Sequence, residues 1–294
     1  MDPLAATQPL PLRLLLDAAV TNVRRHFRAI YLPVAIPVAV ASGLMPLAQL
    51  LMMRTIGMGA RTNDARMMLP GMLVFFAAAV LFGLVYGLGY GALLVASLDA
   101  LEGRVVSVGR AWLTMLRPKV LGTLILSFLA IALGTLLCIL PGIYLGLIFC
   151  LAIPVMVGEG LFGTRALGRS AELMRYNPQK DITADPRAKA FLIFFVGALL
   201  GYIVSFAIQL PVAVVQQVMV FRGAASGEPA DPAALMNSII WLQVPTSMLG
   251  MMAQMAVQLY VSFGLALLFV DIRRRKEGLD LEAAIASIGE PART

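Results

Sequence analysis

None of the 23 Lys and Arg residues of this chain falls inside its six long apolar stretches, and those stretches sort the basic residues into two unequal groups. The stretches cover residues 29–53, 69–97, 120–140, 142–157, 190–220 and 239–270. A hydrocarbon core about 30 Å thick takes roughly 20 helical residues to cross. The pattern predicts an all-α polytopic membrane protein with six transmembrane helices. With both termini on the cytoplasmic side, the inner segments hold Arg13, Arg24, Arg25, Arg28, Arg104, Arg110, Arg117, Lys119, Arg165, Arg169, Arg175, Lys180, Arg187, Lys189, Arg273, Arg274, Arg275, Lys276 and Arg293, which is 19 of the 23. The outer side keeps Arg54, Arg61, Arg66 and Arg222. Positive charge collects on the cytoplasmic side of membrane proteins, so the partition predicts this orientation.

Composition points the same way. Charged residues make up 13% of the chain, about half the usual share in a soluble domain, and 60% of the residues are apolar. The net charge of +7 sits beside the apolar stretches and does not form a separate basic domain. Anionic lipid headgroups are therefore the expected counter-charge, and nucleic acid is not expected. Met1 to Pro11 carries no basic residue and precedes a polar helix, so no cleaved leader is expected and the first span serves as its own insertion signal.

A short amphipathic stretch precedes each outward-going span. In the first, Arg13, Asp17, Thr21, Arg24 and Arg28 share one helical face, while Leu14, Leu15, Ala18 and Val23 line the other. The second is Ser107 to Arg117, with Ser107 as N-cap, Trp112 suited to an interface and Pro118 as stop. The third is Thr164 to Tyr176, with Thr164 as cap, Arg165, Arg169 and Glu172 on its polar side and Asn177-Pro178 as stop. These predict three cytoplasmic interfacial amphipathic helices. The whole chain, 1–294, reads as a single membrane domain of three interfacial-helix-plus-hairpin units, 12–97, 107–157 and 164–270, followed by a cytoplasmic tail, 271–294. The inter-span loops are short except for 176–186 and 222–232, neither long enough to be a domain, and the tail is too small to fold as a catalytic module.

Polar residues within the spans concentrate in the last two. Tyr202, Ser205, Gln209 and Gln216 share a helical face, as do Gln243, Ser247, Gln254, Gln258 and Ser262. Counted from the outer ends, Gln216 and Gln243 match in depth, as do Gln209 with Ser247, Ser205 with Gln254 and Tyr202 with Gln258. An amide facing lipid would be unsatisfied, so the two faces are expected to meet in a polar seam. Such a seam serves interhelical hydrogen bonding or a solute path; the first is the expectation here. Gly83, Gly87 and Gly91 form a stripe for close helix approach, an intramolecular crossing being favoured over a homo-oligomer contact. Prolines at 33, 37, 46, 154, 211 and 245 each remove a backbone donor and predict kinks.

Catalytic and cofactor chemistry find no support. The spans contain no ionisable residue, Glu159 and Asp271 lying just beyond the fourth and sixth, which argues against ion-coupled transport. His26 is the only histidine and reads as an interfacial surface residue, so a histidine-based metal site is not expected. Cys138 and Cys150 flank a predicted Pro141-Gly142 turn at different depths and read as small packing residues, not a disulfide. No nucleophile elbow, phosphate loop or metalloprotease motif is present, so neither an enzyme nor a cofactor is expected.

The most specific string is Asp271-Ile272-Arg273-Arg274-Arg275-Lys276-Glu277-Gly278-Leu279-Asp280-Leu281-Glu282. Its cations suit lipid headgroups, and Asp271 and Glu277 suit arginines of the interfacial helices. With Pro141-Gly142-Ile143-Tyr144-Leu145, Pro154, Glu159-Gly160 and Ala166-Leu167-Gly168-Arg169-Ser170, this string resembles the glycerophosphoryl diester phosphodiesterase membrane-domain family, a group that includes bacterial six-span proteins. The resemblance implies a bacterial inner-membrane location and a six-span fold. The family's catalytic barrel has no counterpart here, so the resemblance implies no enzymatic activity. The expected role is an accessory or scaffold protein in the inner membrane. Arg24, Arg25, Arg28, Arg273, Arg274, Arg275 and Lys276 would contact anionic lipid or a membrane or cytoplasmic protein partner. The alternative is a transporter or channel for a lipid-like or uncharged solute along the seam of Tyr202, Ser205, Gln209, Gln216, Gln243, Ser247, Gln254 and Gln258.

Overall fold

The computed structural model describes residues 11–175, 185–226 and 232–277. Among them there are helices and turns and no strand: α1 (Leu12–Thr62), α2 (Leu69–Leu101), α3 (Val108–Met115), α4 (Pro118–Leu137), α5 (Ile139–Phe149), α6 (Ala152–Gly158), α7 (Thr164–Leu173), α8 (Pro186–Ser226) and α9 (Pro232–Glu277), with a 3₁₀ turn at Ala65–Met67. Six segments are long and apolar enough to cross a membrane, with α5 and α6 together forming the fourth. Four of the predicted stretches lie within them; 120–140 runs past Leu137 into the fourth segment, and 190–220 runs one residue beyond Met219.

The helices outrun the apolar stretches. The first 17 residues of α1 are continuous with the first span, so the predicted separate interfacial helix does not exist as an element of its own. Arg13, Asp17, Thr21, Arg24 and Arg28 are exposed along it, and Leu15 and Ala18 are buried. Nothing between Arg28 and Pro33 stops a helix, and Pro33, Pro37 and Pro46 bend the backbone hydrogen bonding without ending it. The chain does break before α4. Ser107, in an extended conformation, caps α3 by accepting from the Arg110 amide at 3.4 Å, as its sequence position predicts. Pro118 opens α4 at its first position, where its missing N–H costs nothing. In α7 the cap is Gly163, at φ 63°, and Thr164 is the first helical residue. The predicted stop at Asn177-Pro178 lies outside the described residues.

The turn between the third and fourth spans falls at Cys138, extended at φ −170° and ψ 149°, and not at Pro141-Gly142. Pro141 sits in the first turn of α5, where proline is tolerated. Gly142 is buried because its backbone lies against α4: a Cβ there would stand 2.8 Å from the Thr135 Cα. The fourth span then breaks at Cys150-Leu151, four and three residues before Pro154, where a proline ring clashes with a continuing helix. Ser170 of α7 donates its hydroxyl to the Ile148 carbonyl at 2.6 Å, satisfying an acceptor at that break.

The chain divides into two compact units. One comprises residues 1–30, 91–197 and 258–294, the other 31–90 and 198–257, so each boundary falls inside a long helix. In the first unit α3, α6 and α7 pack with the adjoining parts of α2, α8 and α9; Leu93, Leu94, Met115, Leu151, Leu173, Phe263 and Phe269 are fully buried. In the second, α1 buries Tyr31, Val34, Ala35, Val38, Ala39 and Ser42 at helical spacing. The Tyr31 hydroxyl donates to the Met252 carbonyl at 2.9 Å, and the Ser42 hydroxyl reaches the Ser247 carbonyl at 3.3 Å.

Candidate functional site

Ionisable residues are not confined to loops. Asp99, Lys189 and Asp271 all lie within helices and are buried, just beyond the ends of the apolar stretches 69–97, 190–220 and 239–270. Burying a charge without a partner is costly, and each of these has one. All belong to the first compact unit.

Asp99 stands in the last turn of α2, its side chain 3% exposed. The Arg110 guanidinium of α3 lies 2.8 Å away and that of Arg104 3.6 Å away, and Arg104 also pairs with Glu102. Local sequence builds this arrangement. Gly103, at φ 68°, ends α2 in the left-handed conformation glycine accepts most easily, and the Arg104 amide returns to the Asp99 carbonyl at 2.8 Å. Val108, Ala111 and Met115 anchor one face of α3, with Met115 filling the space a Cβ on Gly91 would need. That docking turns Arg110 toward Asp99.

A second pair repeats the design. Glu159 ends α6, and ten residues later Arg169 of α7 donates from Nε at 2.9 Å, while its Nη1 reaches Glu172 at 3.1 Å. Burial pulls the Arg169 guanidinium down, but the hydrogen bonds to Glu159 and Glu172 outweigh it and hold its pKa above the ordinary arginine value. Gly160 and Gly163, both at positive φ, reverse the chain, and the Gly163 amide donates to the Thr123 hydroxyl of α4 at 2.7 Å. The other Glu159 oxygen is buried and has no hydrogen-bond partner among the described residues.

The third pair joins α8 to α9. Lys189 and Asp271, with side chains 2% and 6% exposed, are 3.6 Å apart. Asp271 thus has a partner on α8, Lys189. Asp185 accepts from the Arg187 amide at 3.0 Å ahead of Pro186, a cap and first-position proline that start α8 before its apolar run and carry Lys189 into the helix. Arg187 also donates to the Met174 carbonyl at 2.7 Å and lies 5.5 Å over the Tyr144 ring.

A cavity of about 260 Å³ opens beside the first pair, between the end of α2, α3, the start of α4 and the end of α6. Its floor is the buried Val95, Val120 and Met156; its rim carries Arg104, Arg110, Arg117 and Thr114. The sequence holds a signal for these sites: Glu-Gly recurs at 102–103, 159–160 and 277–278, after the second, fourth and sixth apolar stretches.

The predicted contact residues are placed unevenly. Arg24, Arg25 and Arg28 are exposed, whereas Arg273 and Arg274 are half-buried. The Arg273 guanidinium lies 3.9 Å from the position of a Cβ on Gly158, next to the C-terminal end of α6, where a cation is favoured. The side chains of Arg275 and Lys276 lie outside the described residues. His26 is partly buried and stacks on Phe263 at 6.2 Å between ring centroids. Both cysteines are free thiols, Cys138 exposed and Cys150 partly buried.

The seam forms only in part. Gln254 packs on Gly201, its Oε1 2.6 Å from the position of a Cβ there, and Ile208 faces Gly250, so α8 and α9 meet near the predicted register. The packing stripe of α8, however, runs through Gly201, Ile208 and Val212, one position behind the predicted face. Tyr202 is consequently 70% exposed and Gln209 is exposed too. Ser205, Gln216 and Gln258 are half-buried. Gln243 keeps a buried Oε1 with no hydrogen-bond partner among the described residues, so depth-matched Gln216 does not satisfy it. Ser247 donates to Val244 of its own helix at 2.8 Å. Of the glycine stripe, only Gly91 meets a neighbour; a Cβ on Gly83 or Gly87 would touch nothing within 4 Å.

No family model, curated protein or solved structure matches this chain.

Proposed function

We propose that this chain is an accessory or scaffold protein of the bacterial cytoplasmic membrane, with both termini inside, and that its basic side engages anionic lipid and a partner protein. The observation that carries the reading is the partition of 19 basic residues to one side of the spans against four on the other. The arrangement of the charges supports it. Arg110, Arg169 and Lys189 are committed to Asp99, Glu159 and Asp271, while Arg24, Arg25 and Arg28 project from α1 and are available to headgroups. The resemblance to the glycerophosphoryl diester phosphodiesterase membrane-domain family belongs to the same proposal and brings no catalytic step with it. α3 and α7, each with one buried face and one basic face, would lie at the headgroup level.

The test is lipid retention. Each basic residue near an anionic surface contributes on the order of 1 kcal/mol, so Arg24→Gln, Arg25→Gln and Arg28→Gln together should lower the anionic lipid that purifies with the protein, increasingly so at low salt. Unchanged lipid content, measured by mass spectrometry of the extract, would refute the reading. A solute path along α8 and α9 has less behind it, because Tyr202 and Gln209 look away from the packed stripe.

A further inference from the structure

We infer that the cavity beside Asp99 is a stoichiometric binding site for one monoanionic phosphodiester headgroup of an anionic phospholipid. The inference rests on the lipid-engaging reading above and gives it a location. The charge at the cavity sets the ligand's sign and size. Three guanidiniums, Arg104, Arg110 and Arg117, line it against a single carboxylate, Asp99. Asp99 takes Arg110 at 2.8 Å and shares Arg104 with Glu102. Arg117 has no ion pair among the described residues, and its side chain is exposed. One uncompensated cation at the mouth matches one negative charge. Arginine also presents its donors in a planar fork that fits two phosphate oxygens at once.

Shape sets the rest. The volume, about 260 Å³, is below the roughly 300–1,000 Å³ of pockets that enclose a whole drug-sized ligand, so the site holds a headgroup and leaves acyl chains outside. Its floor of Val95, Val120 and Met156, each at most 3% exposed, offers nothing to a hydrated inorganic ion. It suits the glycerol and first methylenes of a lipid, with the Thr114 hydroxyl as a further hydrogen-bonding group. Asp99 acts as a positioning residue: buried and doubly paired, it holds Arg110 in one orientation before any ligand arrives, which lowers the ordering cost of binding.

The experiment is native mass spectrometry of the full chain in mild detergent, titrated with dihexanoyl phosphatidylglycerol, dihexanoyl phosphatidylcholine or inorganic phosphate. One phosphatidylglycerol adduct should form in preference to phosphatidylcholine, and inorganic phosphate should not displace it. Arg117→Gln should weaken that adduct about tenfold, the loss of one charge-assisted contact, whereas Arg13→Gln, which removes an equal charge far along the sequence, should not. Because the Arg117 side chain has no ionic partner to lose, the variant should fold, which its melting temperature checks. Wild-type affinity in Arg117→Gln would overturn the site. If anionic lipid still depended on Arg24, Arg25 and Arg28, the broader reading would survive that result. Equal competition by inorganic phosphate would overturn the lipid assignment, and loss of all anionic preference would overturn both.

Discussion

Lys189 is among the largest fully buried side chains of the described residues, and burying its amine is costly unless it is paired, as it is with Asp271. Removing one member of such a pair strands the other and costs about 3–5 kcal/mol, while replacing both with apolar groups of similar volume is often close to neutral. Lys189→Met and Asp271→Leu should each lower the unfolding midpoint sharply in detergent, and the double variant should recover most of the loss. Additive losses in that cycle would show that the two residues are not coupled. Glu159 offers a second test. Its unpartnered oxygen makes Glu159→Gln informative, because the amide keeps an acceptor for Arg169 and adds a donor where the carboxylate oxygen had no partner; the expected cost is small, about 1 kcal/mol, against at least twice that for Glu159→Ala. These residues were half visible in the sequence. Glu159 and Asp271 stand just beyond apolar stretches and are legible for that reason; apolarity alone starts α8 after Lys189, whereas the signal that decides its start is the Asp185-Pro186 cap. Asp99 lies beyond the apolar part of α2 in the same way.

At the level of helices, the glycines separate positions that matter from positions that do not. A methyl at Gly142 would press on the Thr135 backbone, which cannot swing aside as a side-chain tip can. Gly142→Ala should therefore force α4 and α5 apart at a cost of about 1–3 kcal/mol, read as a drop in melting temperature. Gly83→Ala and Gly87→Ala meet open space and should leave the melting temperature unchanged or slightly raised, since alanine is the better helix former. Element existence was almost fully legible, because apolar length is a strong signal. The orientation of faces was not. The polar residues of α8 occupy a face adjacent to the one that packs, and packing follows the small residues, Gly201 against Gln254 and Gly250 near Ile208, because backbone approach outweighs a modest amide hydrogen bond. Gln216→Leu with Gln243→Leu should accordingly behave additively.

For the molecule as a whole, the proposed orientation is tested by thiols. Cys138, exposed at the turn between α4 and α5, and an introduced Ala60→Cys should react with an impermeant maleimide in intact cells. Val105→Cys, at a position 85% exposed, should react only after the cells are opened, in a background with Cys138 replaced. Labelling of Val105→Cys from outside would reverse the orientation. The three ion pairs also differ in when they can form. Asp99 and Arg110 are separated by 11 positions, and Glu159 and Arg169 by 10, so each closes within moments of leaving the ribosome. Lys189 and Asp271 are 82 positions apart (271 less 189). At roughly 5–20 residues per second, synthesis keeps Lys189 waiting for about 4–16 s. During that interval the nascent chain holds an ammonium without its carboxylate, and any product truncated before α9 holds it permanently. The pair thus marks completion: a chain that ends early carries its own defect, an exposed or mispaired charge on a helix long and apolar enough to cross a membrane, in a form that quality-control proteases and chaperones can act on.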